Sequence, residues 1–140
     1  DVIDLGRTPI LALVAKGYLP KGTHTLRFKN LGAQPLIYRE VGSRTRSLIE
    51  EEALQLNLNL APSIEVEGRE ALREVVASGA GIGFVSEAEF GHDLRLRAVP
   101  FDDVDLGMSE AVVTLSARRD VPLIRGFLKT VQKAVKDRET

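Results

Sequence analysis

Residues 35–50, PLIYREVGSRTRSLIE, constrain the fold of this chain more than any other stretch. The apolar run at 35–38 reads as a short strand, 39–42 as a polar turn ending in Gly42, and 43–56 as a helix capped by Ser43. A capping hydroxyl accepts from one early helical amide and leaves others of the first turn aimed outward, where the helix dipole favours an anion. Arg44 and Arg46 stand in that first turn and oppose the dipole. A bound negative group would account for them. Two solvated arginines on an ordinary capped helix would account for them as well, and composition does not separate the two.

Around this segment strands alternate with helices. ILALVA at 10–15 is a continuous apolar run between Pro9 and Lys16-Gly17, the pattern of a strand buried on both faces. Residues 1–6 read as the tail of a strand and a turn, 16–23 as a loop, and Leu26, Phe28 and Leu31 as a single-turn element. A strand is expected at 63–66 and a helix at 69–78, with Ala71, Leu72, Val75 and Val76 at helical spacing and Gly79 as its stop. GIGFV at 81–85 is a short buried strand whose glycines allow a helix or a ligand to come close. Ser86 caps one helical turn with Glu89 in the capping-box position, and a strand follows at 94–99. Asp102, Asp103 and Asp105 lack the spacing and closing glutamate of a calcium loop and read as a solvated turn. The chain closes with a strand at 110–117 and an amphipathic helix at 120–136, its stripe drawn by Val121, Ile124, Phe127, Leu128, Val131 and Val135. Such alternation indicates an α/β sheet whose parallel pairs need crossovers.

Composition narrows the function. The formal net charge is -1, from 19 basic and 20 acidic residues, which argues against a free-standing nucleic-acid binder. Arg125, Lys129, Lys133 and Lys136 read as the solvated face of the last helix. Without cysteine there is no thiol chemistry, and His24 and His92 are isolated, so neither a zinc cluster nor a histidine-centred triad is expected. The glycines at 79–83 do not form a dinucleotide loop, and no cofactor is expected. No apolar run is long enough for a membrane span, and a cytoplasmic location is the default.

REVGSRTR at 39–46 resembles the REPGSGTR-type segment in the effector-binding domain of LysR-type transcriptional regulators. ASGAGIGFVSEAEF at 77–90 is similar to the AAGLGIA-containing segment of that family, and 110–136 to its closing strand and helix. SEAEFGHDLRL and MSEAVVTLSARRDVPLIRGF look most like the subgroup linked to metabolism of phosphonates such as 2-aminoethylphosphonate. The resemblance implies two α/β lobes, like a periplasmic binding protein, with a small effector between them. Residues 1–9 would be a remnant or crossover from the first lobe, 10–102 the second lobe, and 103–140 the return linker, strand and C-terminal helix of the first lobe. The earlier parts of the first lobe and the winged helix-turn-helix have no counterpart among these residues, so an incomplete domain is expected, with DNA contacted only through the missing part.

The sequence departs from the family pattern at two places. Val41 replaces a frequent proline, and Glu67-Gly68 replaces a glycine-serine helix start. The expected anion site is Ser43, Arg44, Thr45 and Arg46, with Gly68, Arg69 and Ser86 at the other helix starts as secondary candidates. Glu67 would suit the ammonium end of a zwitterion, so the expected effector is anionic or zwitterionic. No catalytic residue is assigned. The alternatives are a small phosphate-handling enzyme using Ser43 and an oligomerisation domain that senses nothing. Self-association is expected, with Leu54, Leu56, Leu58 and Leu60 as interface candidates that could equally close the core.

Overall fold

A computed structural model describes residues 1–140, which form two compact units: Thr8–Met108, and Asp1–Arg7 with Ser109–Thr140. Strand β1 spans Val2–Ala15 without a break, where the sequence suggested a turn before a second strand. Pro9 lacks an N–H but suits extended backbone, and pairing with the strand at Gly83–Ser86 starts just past it, at Ile10.

The larger unit is built on β1. It lies antiparallel between β4 (Gly83–Ser86) and β5 (Leu96–Val99), in register Leu13 with Gly83 and Leu13 with Ala98. β2 (Ile37–Arg39) and β3 (Ile64–Val66) pair in parallel, and the Leu36–Ile82 bridge joins β2 to the chain entering β4. The crossovers that parallel pairing requires are helices α1 (Arg44–Gln55), between β2 and β3, and α2 (Arg69–Ala77), between β3 and β4.

Each helix covers one face of the sheet. Ile10, Ala12, Val14, Tyr38 and Phe84 pack with Leu48, Ile49 and Ala53 of α1. Leu13, Ile37 and Val85 point the other way and pack with Leu72 and Val76 of α2. The alternation along β1 explains why residues 10–15 are apolar at every position: that stretch is covered from both sides. Gly83 lets α2 sit close, since a Cβ there would lie 2.9 Å from Val76 Cγ2. The glycine of GIGFV thus serves helix packing.

A 3-10 turn at Phe28–Ala33 closes the α1 face with buried Phe28 and Leu31. Its first amides donate to the Asp103 carboxylate, from Phe28 N–H at 2.7 Å and Lys29 N–H at 3.2 Å. The Asp102 carboxylate accepts from the Thr25 hydroxyl at 3.0 Å. The acidic stretch is therefore not a solvated turn. It is a clasp on residues 25–29, beyond the reach of local sequence.

The smaller unit contains the first residues of β1, β6 (Gly107–Val113) from Ser109 on, and α4 (Pro122–Glu139), whereas α3 (Glu87–Phe90) belongs to the larger. Main-chain bonds between Asp1 and Thr114 run both ways at 3.0 Å, and Arg138 donates to the Leu5 carbonyl at 3.0 Å. Pro122 opens α4, as its fixed φ and missing N–H allow. Ile124, Leu128, Val131 and Val135 are half-buried, whereas Leu123 and Phe127 are exposed. No helix is long and apolar enough to cross a membrane.

Candidate functional site

The turn before α1 forms as its residues demand. Gly42 takes φ +101, and the Ser43 N–H closes the turn on the Glu40 carbonyl at 3.2 Å even with Val41 at its apex. Ser43 is the N-cap, its Oγ accepting from the Arg46 N–H at 3.4 Å. The amides of Arg44 and Thr45 are left without an acceptor inside the helix. Thr45, the second helical residue, is 6% exposed, and its hydroxyl has no hydrogen-bond partner. It lines a cavity of about 10 Å³, one water's worth, together with Leu13, Arg39, Arg69, Leu72, Arg73, Phe84, Val85 and Glu89.

The two arginines of the first turn differ. Arg44 is exposed and lies 3.6 Å from Glu51. Arg46 is inward: it donates to Glu50 at 2.9 Å, to the Arg39 carbonyl at 2.8 Å and to Glu65, and its guanidinium lies 5.4 Å from the Tyr38 ring centre. Burial works against its charge, but Glu50 and Glu65 outweigh that and hold it firmly protonated. Arg46 knits α1 to β2 and β3, and few of its donors stay open to a ligand.

The start of α2 is built differently. Gly68 is its N-cap with φ +86 and has no side chain to cap with. The missing cap comes from the end of β2: the Gly68 N–H donates to the Glu40 carboxylate, 3.2 Å from Oε1 and 3.4 Å from Oε2. Arg39 donates to the same carboxylate through Nε at 3.0 Å and Nη2 at 2.7 Å. The Arg39 guanidinium, followed by the Gly68 amide, holds the Glu40 carboxyl below the usual carboxylate range. Arg69 is exposed and lies 3.4 Å from Glu89. Arg39, Glu67, Gly68, Arg69, Glu70 and Ala71 line an open hollow of about 630 Å³.

Of the residues expected from sequence, Glu67, Gly68 and Arg69 come together in this hollow, and Thr45 shares the small cavity with Arg39 and Arg69, which line both spaces. Ser43 serves as a cap and lines neither. Ser86 is fully buried, its Oγ accepting from the Glu89 N–H at 3.3 Å. Arg39, Glu40 and Arg73 were not singled out from sequence. Arg39 and Glu40 sit at the C-terminal end of a strand just before a glycine turn, the position where α/β sheets collect site residues, and that was the available signal. Arg73 gave none; it donates to the carbonyls of Glu89 and Phe90 at 2.5 and 2.6 Å, pinning the end of α3.

A family model described as the LysR substrate binding domain matches residues 1–136. The phosphonates import ATP-binding protein PhnC of Anaeromyxobacter dehalogenans is 29% identical over 140 residues, covering 94% of this chain and 28% of that protein. The HTH-type transcriptional activator CmpR of Synechocystis is 28% identical over 78 residues, covering 56% of this chain and 26% of that one. Among solved structures, the Synechocystis PCC6803 CcmR regulatory domain in complex with 2-PG superposes with a TM-score of 0.82 at 19% identity, covering 97% of this chain and 67% of that one. The chain spans about a quarter of the length of the curated relatives it matches.

Proposed function

This chain belongs to the LysR substrate-binding-domain family and has its periplasmic-binding-protein-like α/β fold, and from that premise we propose that it senses a small anionic or zwitterionic effector at the starts of α1 and α2. The observation that carries the reading is Thr45. Thr45 is 6% exposed, its hydroxyl makes no hydrogen bond yet still reaches solvent, and Arg39, Arg69 and Arg73 line its cavity together with Glu89. A tetrahedral anion would accept from the Thr45 hydroxyl, from the free first-turn amides and from a guanidinium at once. The cavity would have to widen, and Arg69, exposed and only loosely paired, is the side chain free to swing.

Glu67 and Glu70 line the hollow beside Arg39 and Arg69 and suit an ammonium group. A zwitterion with a phosphonate head is consistent with that charge pattern, and the PhnC relative's printed association with phosphonates supports the same class. Binding would regulate DNA contact made by another part of the full protein, as the name of the CmpR relative suggests. Residues 10–102 would then be the second lobe, and 1–9 with 103–140 would belong to the first. Self-association is part of the proposal: Leu58 and Leu60 pack on the core, which leaves Leu54 and Leu56, both exposed, as interface candidates.

Calorimetric titration with inorganic phosphate and 2-aminoethylphosphonate tests the site. Thr45→Val is expected to weaken binding about tenfold or more, the worth of a hydrogen bond to a charged group. Ser43→Ala is expected to act mainly on stability. Equal affinity in Thr45→Val and the parent would refute the site.

A further inference from the structure

The N–H at the start of α2 and the guanidinium of Arg39 are the donors that a second anionic group of a ligand would use, and both are already taken. The Glu40 carboxylate accepts two hydrogen bonds from Arg39 and one shared between its oxygens from Gly68. It reaches across from the end of β2 to a helix start 28 residues away, with 31% of its side chain exposed. Its two partners both line the open hollow, so Glu40 stands at the wall of the space where an effector would lie. An external carboxylate would seek the same pair of donors, a planar guanidinium fork and a helix-start amide.

We propose that Glu40 is a specificity-determining residue, an internal carboxylate that fills this second anion position and so restricts the effector to one anionic group. This rests on the reading of Thr45 as the anion seat. The effector places that group at Thr45 and Arg69, and the remainder of the molecule, lying along Arg39, Glu40, Glu67 and Glu70, is neutral or cationic. The charge count supports the direction: once Arg39 is neutralised by Glu40, the carboxylates of Glu67 and Glu70 dominate that end of the hollow. A two-headed anion would have to evict Glu40 and leave a carboxylate without its donors.

A matched pair of ligands isolates the effect. Ethylphosphonate and 3-phosphonopropionate share a phosphonate on a two-carbon chain and differ by one terminal carboxylate. The 140-residue chain is expected to bind ethylphosphonate at least tenfold more tightly than 3-phosphonopropionate. Glu40→Ala should bind 3-phosphonopropionate at least tenfold more tightly than the parent does, with the Gly68 amide resonance shifting on titration, and any gain for ethylphosphonate should be several-fold smaller. Glu40→Gln keeps an acceptor for the Gly68 N–H, and with it the helix cap, and should move in the same direction by a smaller factor. An unchanged preference in both variants overturns the proposal, as does a Gly68 shift with 3-phosphonopropionate in the parent equal to that in Glu40→Ala. If Thr45→Val leaves ethylphosphonate binding intact while Glu40→Ala still gains the carboxylate ligand, Glu40 keeps its role and the Thr45 seat is lost. If no variant binds either ligand, both fall.

Discussion

The two units of this chain are made of similar parts and end up in opposite states. The larger unit holds every fully buried side chain, in two cores separated by the sheet. In the smaller unit no residue is buried, and Val2, Val113, Leu115, Val121, Leu123 and Phe127 are all exposed. The helix α4 is longer than α1 and α2 and has a clear apolar stripe, yet the stripe reaches only half-burial. Amphipathic pattern alone therefore does not make a core. A helix contributes stability only through a surface that meets it on the apolar side, and β1, apolar at each position of 10–15, provides that surface to α1 and α2 at once.

Paired substitutions sharpen the contrast. The largest difference is expected between Leu13→Ala and Leu128→Ala. Leu13 is fully buried under α2, and its truncation should cost about 3 kcal/mol by urea unfolding. Leu128 is half-buried, and its truncation should cost less than about 1 kcal/mol. Equal losses would mean that the smaller unit has a core after all.

Two glycines come next. Gly83→Ala puts a methyl against Val76 and Leu72 and should cost about 1–3 kcal/mol. Gly126→Ala, inside α4 with nothing within 4 Å of the new Cβ, should instead raise helix stability by up to about 1 kcal/mol, read as increased helicity. Opposite signs from the same substitution would locate the packing constraint in the larger unit.

The smallest effect is on pH. Burial opposes ionisation of Asp103, but the Phe28 and Lys29 amides outweigh it and keep its carboxyl below the usual range. The Arg39 hydrogen bond does the same for Glu40, and that of Arg95 for Asp93 and Glu74. A carboxyl lowered on folding contributes stability that is fully present above the unfolded value of about 4. That contribution is lost as the pH falls through the folded values. Thermal melts should therefore be flat from pH 7 to 5 and fall steeply below about 4. Asp103→Asn should flatten the acid limb, and an unchanged limb would remove Asp103 from the account.

Features set by near neighbours were legible in the sequence. Ser43 and Ser86 cap their helices through amides three residues on, Gly79 follows α2, and Pro122 opens α4. Features set by distant partners were not. Nothing near Asp103 indicates that Phe28 and Lys29 need acceptors, and nothing near Gly68 points to Glu40. For Arg46 the pairing with Glu50, four residues on in the same helix, was open to a local reading, whereas Glu65, on β3, is invisible from α1. The division of the site follows the same rule: its helix starts could be read locally, while the internal pairing that decides which donors remain open could not.

The central position of β1 has a consequence for how the chain is made. Its neighbours in the sheet arrive late, Leu13 pairing with Gly83 and Ala98, while the whole β2–α1–β3–α2 segment is synthesised in between. A contact between segments so far apart closes a large loop, which slows folding. On the ribosome, ILALVA has no ladder partner until Gly83–Ser86 has left the tunnel, and its second edge waits for Leu96–Val99. During that interval it is a bare, uncharged, β-prone segment, the kind that invites intermolecular pairing or capture by a chaperone. The residue stretch that gives the finished larger unit its two cores is thus also the one most exposed to error while that unit is being born.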